Sequence, residues 1–105
     1  MTTLTTRILK EINRYYMYKI RPQQSKRAKE IGVEIRPSTK GNFKLDVYSK
    51  GRLIASVGHK QYADYAVYKE TKGLDYAEER RAAYMMRHKS DKSLRGLLAK
   101  FLLWT

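Results

Sequence analysis

The stretch FKLDVYSKGRLIASVG, residues 43–58, decides the fold. Phe43, Leu45 and Val47 alternate with Lys44, Asp46 and Tyr48, the period of two that marks a strand with one face on a core. A turn follows at Ser49-Lys50-Gly51, after which Leu53 and Ala55, or Ile54 and Val57, line a returning strand. Two alternating runs joined by a short glycine-containing turn predict a β-hairpin over residues 43–57.

Working toward the N-terminus, Val33-Glu34-Ile35-Arg36 alternates again and stops at Pro37. Proline cannot donate to a sheet ladder, so a third strand near 33–36 would lie at an edge. Residues 22–32 are polar, with the basic cluster Lys26, Arg27 and Lys29, and read as a linker. Before them, Leu4, Ile8, Ile12, Tyr15 and Tyr16 recur at helical spacing, with Arg7, Lys10, Arg14 and Arg21 on the other side. An N-terminal helix over 3–20 follows, ended by Pro22, which pushes the preceding residue out of helical backbone.

Working toward the C-terminus, HKQYADYAVYKETKG (59–73) repeats tyrosine at 62, 65 and 68, a spacing that suits a helical turn or an irregular aromatic loop. LDYAEERRAAYMMRHK (74–89) is rich in helix formers, with acids early and bases late as the helix dipole favours. Asp91 or Ser93 can cap a last helix whose Leu94, Leu97, Leu98, Phe101 and Leu102 form an apolar stripe ending at Trp104. The expected fold is α+β: one small domain over residues 1–105, with an antiparallel hairpin, two strands or three, against two to three helices, the helical C-terminal half spanning 74–103.

Charge narrows the class of partner. Twenty-three Lys and Arg against ten Asp and Glu leave a formal +13. Such an excess repels itself in the compact state and is relieved by a polyanion, of which nucleic acid is the leading candidate. The excess is spread along the chain: eight basic against two acidic residues in 1–30, eight against four in 31–73, and seven against four in 74–105. It therefore belongs to folded segments and not to a basic tail. There are no cysteines, which removes disulfides and thiolate zinc sites. No apolar run approaches the ~20 residues of a membrane span. The opening MTTLTTRILKEI lacks a secretory pattern, so the expectation is a soluble, unprocessed protein of an intracellular compartment.

From Arg36 to Trp104 the chain resembles an uncharacterised family of small basic proteins from large DNA viruses of algae and protists and related marine viruses and phages. The segments that carry the resemblance are IRPST, KLDVYSKGRLIASVG, YADYAVY, KGLDYAEERRAAYMMRHKSDK and the terminal LLW, about two-thirds of the chain. Members are rich in glycine and tyrosine before the final LLW, whereas this chain has KSLRGLLAKF. That departure suggests a last helix that is more regular or differently packed here. The resemblance implies a viral setting, in the infected host's cytoplasm or nucleus or in the virion, and no catalytic residues.

The densest candidate site lies on the predicted helix over 74–89. Arg80, Tyr84 and Arg87 stand at i, i+4 and i+7, with Arg81 and His88 beside them and Lys89 and Lys92 just beyond. Arginine forks suit phosphate oxygens, and a ring among them can stack on a base. The same pattern also describes a solvated helix face, aided by Glu78 three residues before Arg81. Tyr62, flanked by Lys60, offers a second stacking ring, although Tyr62, Tyr65 and Tyr68 together are better explained by packing over the hairpin's open face. A basic N-terminal helix could follow a nucleic-acid backbone or a membrane surface, but an ordinary packed helix with a charged outer face explains it better than either, and the membrane reading is the weakest because its apolar face is tyrosine-rich.

Catalysis finds little footing. His59 and His88 are the only histidines, and no glycine-rich phosphate loop or nucleophile elbow is present. Asp46, Asp64, Glu78 and Glu79 could hold a divalent ion, but the acid-spacer-acid-x-Lys arrangement of many nucleases is missing. The leading expectation is thus a non-enzymatic, cofactor-free, nucleic-acid-associated viral accessory protein that contacts phosphate through a basic helix face with little sequence preference. An alternative is a virion or assembly protein, binding protein partners or its own copies through Leu97, Phe101 and Trp104. A metal-dependent nuclease is the outlying third.

Overall fold

The computed structural model of the protein describes residues 17–105. Seven elements follow in chain order: α1 (Pro22–Glu30), β1 (Glu34–Pro37), β2 (Phe43–Ser49), β3 (Arg52–His59), α2 (Tyr65–Lys72), α3 (Leu74–Arg87) and α4 (Leu94–Leu103). The strands form one antiparallel sheet in the order β1-β2-β3. The fold is α+β, with a three-stranded sheet and four helices among the described residues.

The hairpin closes through Lys50 and Gly51, both at positive φ (51° and 78°), between the paired residues Ser49 and Arg52. Two positive-φ residues make a type I′ turn, whose twist matches the strands it joins. The register then slips by one: Val47 faces Ala55 but Tyr48 faces Leu53. Ile54 is the extra residue of a β-bulge. The bulge explains why neither expected alternation holds along the whole of β3. Ala55 and Val57 turn inward, while Leu53 and Ile54 are both exposed. β1 pairs at the edge, and Pro37 ends its ladder opposite Leu45.

The structure corrects the reading of the N-terminal third. Residues 22–32 do not form a linker, because Pro22–Glu30 is helical. Pro22 does not stop a helix; it starts one at the first helical position, where its missing N–H goes unused and its fixed φ is already helical. Arg21 is extended (φ −93°, ψ 154°), as a residue before proline should be. Its N–H donates to Gln24 Oε1 at 2.9 Å, which closes the first turn. Most of the expected helix over 3–20 lies outside the described residues, including Arg7, Lys10 and Arg14, and its last residues, 17–20, are not helical.

The core joins Leu45, Val47 and Val57 of the sheet to Ala28 of α1, Tyr65 of α2, Ala77 of α3 and Leu98, Ala99, Leu102 and Leu103 of α4, with Trp104 just beyond. Large apolar groups are few, and a buried polar cluster fixes the remaining geometry. Lys44 donates to Asp64 Oδ2 at 2.8 Å, with both side chains almost fully buried. Tyr18 donates to the same oxygen at 2.6 Å, and Gln24 Nε2 donates to the Tyr18 hydroxyl at 2.7 Å. Asp64 Oδ1 caps α2 by accepting from the Val67 N–H. One carboxylate thereby ties the segment before α1, strand β2 and the start of α2 together. Burial raises the Tyr18 phenol far above its ordinary range, and the adjacent Asp64 charge adds to that. Burial also lowers the Lys44 ammonium, against the pull of Asp64.

Candidate nucleic-acid interface

A cleft of about 750 Å³ opens between the end of β3, the segment after it, α3 and α4. Its walls come from sequence-distant elements, each held by a local device. On α3, Arg80, Tyr84 and Arg87 share one face by helical spacing and all line the cleft. Beyond α3, the Ser93 Oγ caps α4 by accepting from the Gly96 N–H at 3.0 Å. That cap sets Arg95 at the cleft, its guanidinium 5.1 Å above the Phe43 ring. From β3 and its exit come Gly58, His59, Tyr62 and Ala63. Gly58 and Gly96 in the lining permit close packing, since a Cβ would strike Leu103 at the first and Asp91 at the second.

The charges in the cleft are unequal in their partners. Lys44 lines it but is committed to Asp64. Arg80, Arg87 and Arg95 form no ion pair among the described residues. Arg80 is half-buried, lies 5.8 Å over the Tyr68 ring, and its Nε is buried with no hydrogen-bond partner among the described residues. A buried donor left unpaired costs about 1–3 kcal/mol. The one carboxylate in the lining, Asp91, accepts from the Ser93 hydroxyl and N–H. Those bonds hold its carboxyl below the usual range.

The aromatic residues divide into wall and mouth. Trp104 lies parallel to Tyr84, with centroids 4.2 Å apart and planes 8° apart, and His88 sits 4.3 Å from the same ring. Tyr84, stacked on Trp104 and in contact with His88, is thus part of a packed wall. Burial raises its phenol, with Asp91 adding to the effect. Tyr62 is 70% exposed and touches only the edge of this set, tilted against His59 at 5.1 Å.

Of the residues expected from sequence, the structure brings Tyr62, Arg80, Tyr84, Arg87 and His88 into one lining. Arg81 points elsewhere, 5.5 Å over the Tyr65 ring and 3.8 Å from Glu78. Lys60, Lys89 and Lys92 lie outside the cleft. Sequence reasoning missed Arg95 and the cleft role of His59, because each enters from a different element than α3. The tyrosine run splits three ways, with Tyr65 buried, Tyr68 half-buried and Tyr62 exposed.

The apolar stripe of α4 is mostly turned inward. Leu98, Leu102, Leu103 and Trp104 are buried, and Phe101 is half-buried with Arg27 at 5.6 Å over its ring. Leu97 is exposed, beside Leu94. Trp104 is therefore a core residue, and Leu97, Phe101 and Trp104 do not make one protruding face. Among the described residues no group of three or more His, Asp or Glu side chains is placed to hold a metal ion. None of the described helices is long and apolar enough to cross a membrane. Compared with known proteins, the chain matches no family model, no curated protein and no solved structure.

Proposed function

We propose that this protein is a non-enzymatic, nucleic-acid-associated accessory protein that grips phosphate through the cleft between α3 and α4. The observation that carries this reading is the convergence of Arg80, Arg87 and Arg95 on one cleft without a carboxylate pairing any of them among the described residues. Arginines that serve only solubility or stability have no need to converge on one concave cleft. The overall +13 then draws a polyanion from any direction, and the cleft retains it. Contact is then mainly with the backbone and ring faces, and sequence preference is weak. The resemblance of residues 36–104 to proteins of large DNA viruses supports a role inside an infected cell or in the virion.

Fluorescence anisotropy with labelled oligonucleotides over a salt series tests the reading. Affinity should fall steeply with salt, and removing the three cleft arginines (Arg80→Ala, Arg87→Ala, Arg95→Ala) should flatten the log–log slope by about 2 for a single strand. Binding that is absent at low salt, or that keeps its slope in the triple variant, overturns it.

A further inference from the structure

We infer that the cleft takes unpaired nucleotides, so that the protein prefers single-stranded nucleic acid to duplex; this rests on the nucleic-acid reading above. Three observations point to it. The cleft is concave, and its volume of about 750 Å³ lies within the range of pockets that enclose small molecules. The phosphates of a duplex lie on a broad, stiff, convex surface, whereas a single strand can fold one nucleotide inward. Second, Arg80 lines the cleft and is half-buried there. A phosphate must enter the cleft to reach the Arg80 guanidinium, while Arg87 and Arg95, both exposed, can hold the neighbouring phosphates at the rim.

Third, the aromatic residues are sorted as such a ligand requires. Tyr84 is packed against Trp104 and His88 and belongs to the wall. Tyr62 lines the same cleft with most of its surface in solvent, a ring free to stack on a base. A stacked base has both its face and its edges exposed, which only an unpaired base offers in full. The ligand class is therefore a flexible phosphodiester strand with accessible bases, its phosphates on Arg80, Arg87 and Arg95 and one base on Tyr62. Asp91 faces the same space, but its carboxylate is occupied by Ser93 and lies against Gly96, where a Cβ would collide with it.

The test compares a labelled thymidine oligonucleotide of about 12 nucleotides, the same strand with abasic spacers, and its duplex with the complement. Each is titrated with the wild-type protein, Tyr62→Ala and Tyr62→Phe. Tyr62 is so exposed that neither variant should unfold, which circular dichroism verifies. The single strand should bind more tightly than the duplex, and Tyr62→Ala should lose about tenfold on it. That loss should be absent in Tyr62→Phe, on the abasic strand and on the duplex. Duplex affinity equal to or above that of the single strand, or a Tyr62→Ala variant that binds the strand unchanged, overturns the inference while leaving the broader nucleic-acid reading standing. Failure of all three probes to bind overturns both.

Discussion

Lys44 and Arg80 line the same cleft, yet they differ in what surrounds their charge. The Lys44 ammonium sits on Asp64 at 2.8 Å, inside a chain of hydrogen bonds that runs through Tyr18 to Gln24 and the Arg21 N–H. Every polar group there has a partner within the chain. Arg80 rests on the face of Tyr68 and leaves a buried Nε with none among the described residues. A satisfied buried network specifies one geometry, whereas an unsatisfied donor lowers stability and is tolerated where a ligand completes it. The first region is satisfied within the chain; the second holds a buried donor without a partner among the described residues, which the proposed function would have a ligand complete.

The largest expected effect breaks the satisfied side. Asp64→Asn keeps an acceptor for the Val67 N–H but removes the charge opposite Lys44. Breaking one half of a buried pair typically costs about 3–5 kcal/mol, a large fraction of the stability of a domain this small. Urea denaturation should show the loss directly. A drop below about 1 kcal/mol would mean that the pair contributes little and that the two regions do not differ in the way described.

Alkaline pH strains the same network with a calculable sign. The folded Tyr18 phenol is raised above its ordinary value of 10.0, so the folded state keeps a proton that the unfolded chain gives up. Stability from Tyr18 is then complete below pH 10.0 and is lost as pH rises beyond it, by at most about 1.4 kcal/mol per pH unit. Tyr65 and Tyr84 are raised too and act in the same direction, Tyr65 chiefly through its hydrogen bond to Glu78. Lys44 acts oppositely: its folded value is lowered, so its contribution improves with pH until the unfolded lysine has titrated near 10.5. Net loss should therefore appear above pH 10.5, read as a falling urea midpoint. Tyr18→Phe should shrink that slope while lowering stability at neutral pH.

These two regions were unequally legible in the sequence. The hairpin showed itself because alternation and a Lys-Gly turn are local signals, and α4 because a serine cap precedes an apolar stripe. α1 was hidden for a physical reason: it buries only Gln24 and Ala28, so it carries no apolar periodicity, and its proline suits a stop as well as a start. The Lys44–Asp64 pair spans twenty residues and joins a strand to a helix cap, which no spacing rule announces. On the cleft side, the α3 face was readable because i, i+4 and i+7 are helical neighbours. Arg95 and His59 were not, since only the tertiary fold brings α4 and the end of β3 against that face. Tyr84 looked like a stacking ring because nothing local reveals that Trp104, twenty residues on, already covers it.

A smaller effect, opposite in sign, sharpens the comparison from the cleft side. Arg80→Met keeps much of the apolar stem over Tyr68 and removes the unpaired donor. Replacing a buried group that has lost its partner should raise stability by about 1 kcal/mol in urea, while affinity for a single strand falls. A gain in stability together with a loss in binding is the signature of a group retained for its ligand. If Arg80→Met is destabilised instead, the guanidinium is contributing to packing, and its unpaired Nε is not a mark of function.

The smallest expected effect comes from the next residue along. Arg81 carries the same charge one position away but lies over Tyr65 and near Glu78, outside the cleft. Its pairing with Glu78 is partly exposed at 3.8 Å, so Arg81→Ala should change stability by no more than about 0.5 kcal/mol. Its effect on binding discriminates more sharply than its effect on stability. If general positive charge attracts the nucleic acid, Arg81→Ala and Arg80→Ala should weaken binding equally, because both remove one unit of charge. If the cleft holds the strand, only Arg80→Ala should reduce both the affinity and the salt slope, by about 0.7 in the latter. Two adjacent arginines on one helix, equal in charge and unequal in surroundings, thus separate an electrostatic surface from a site.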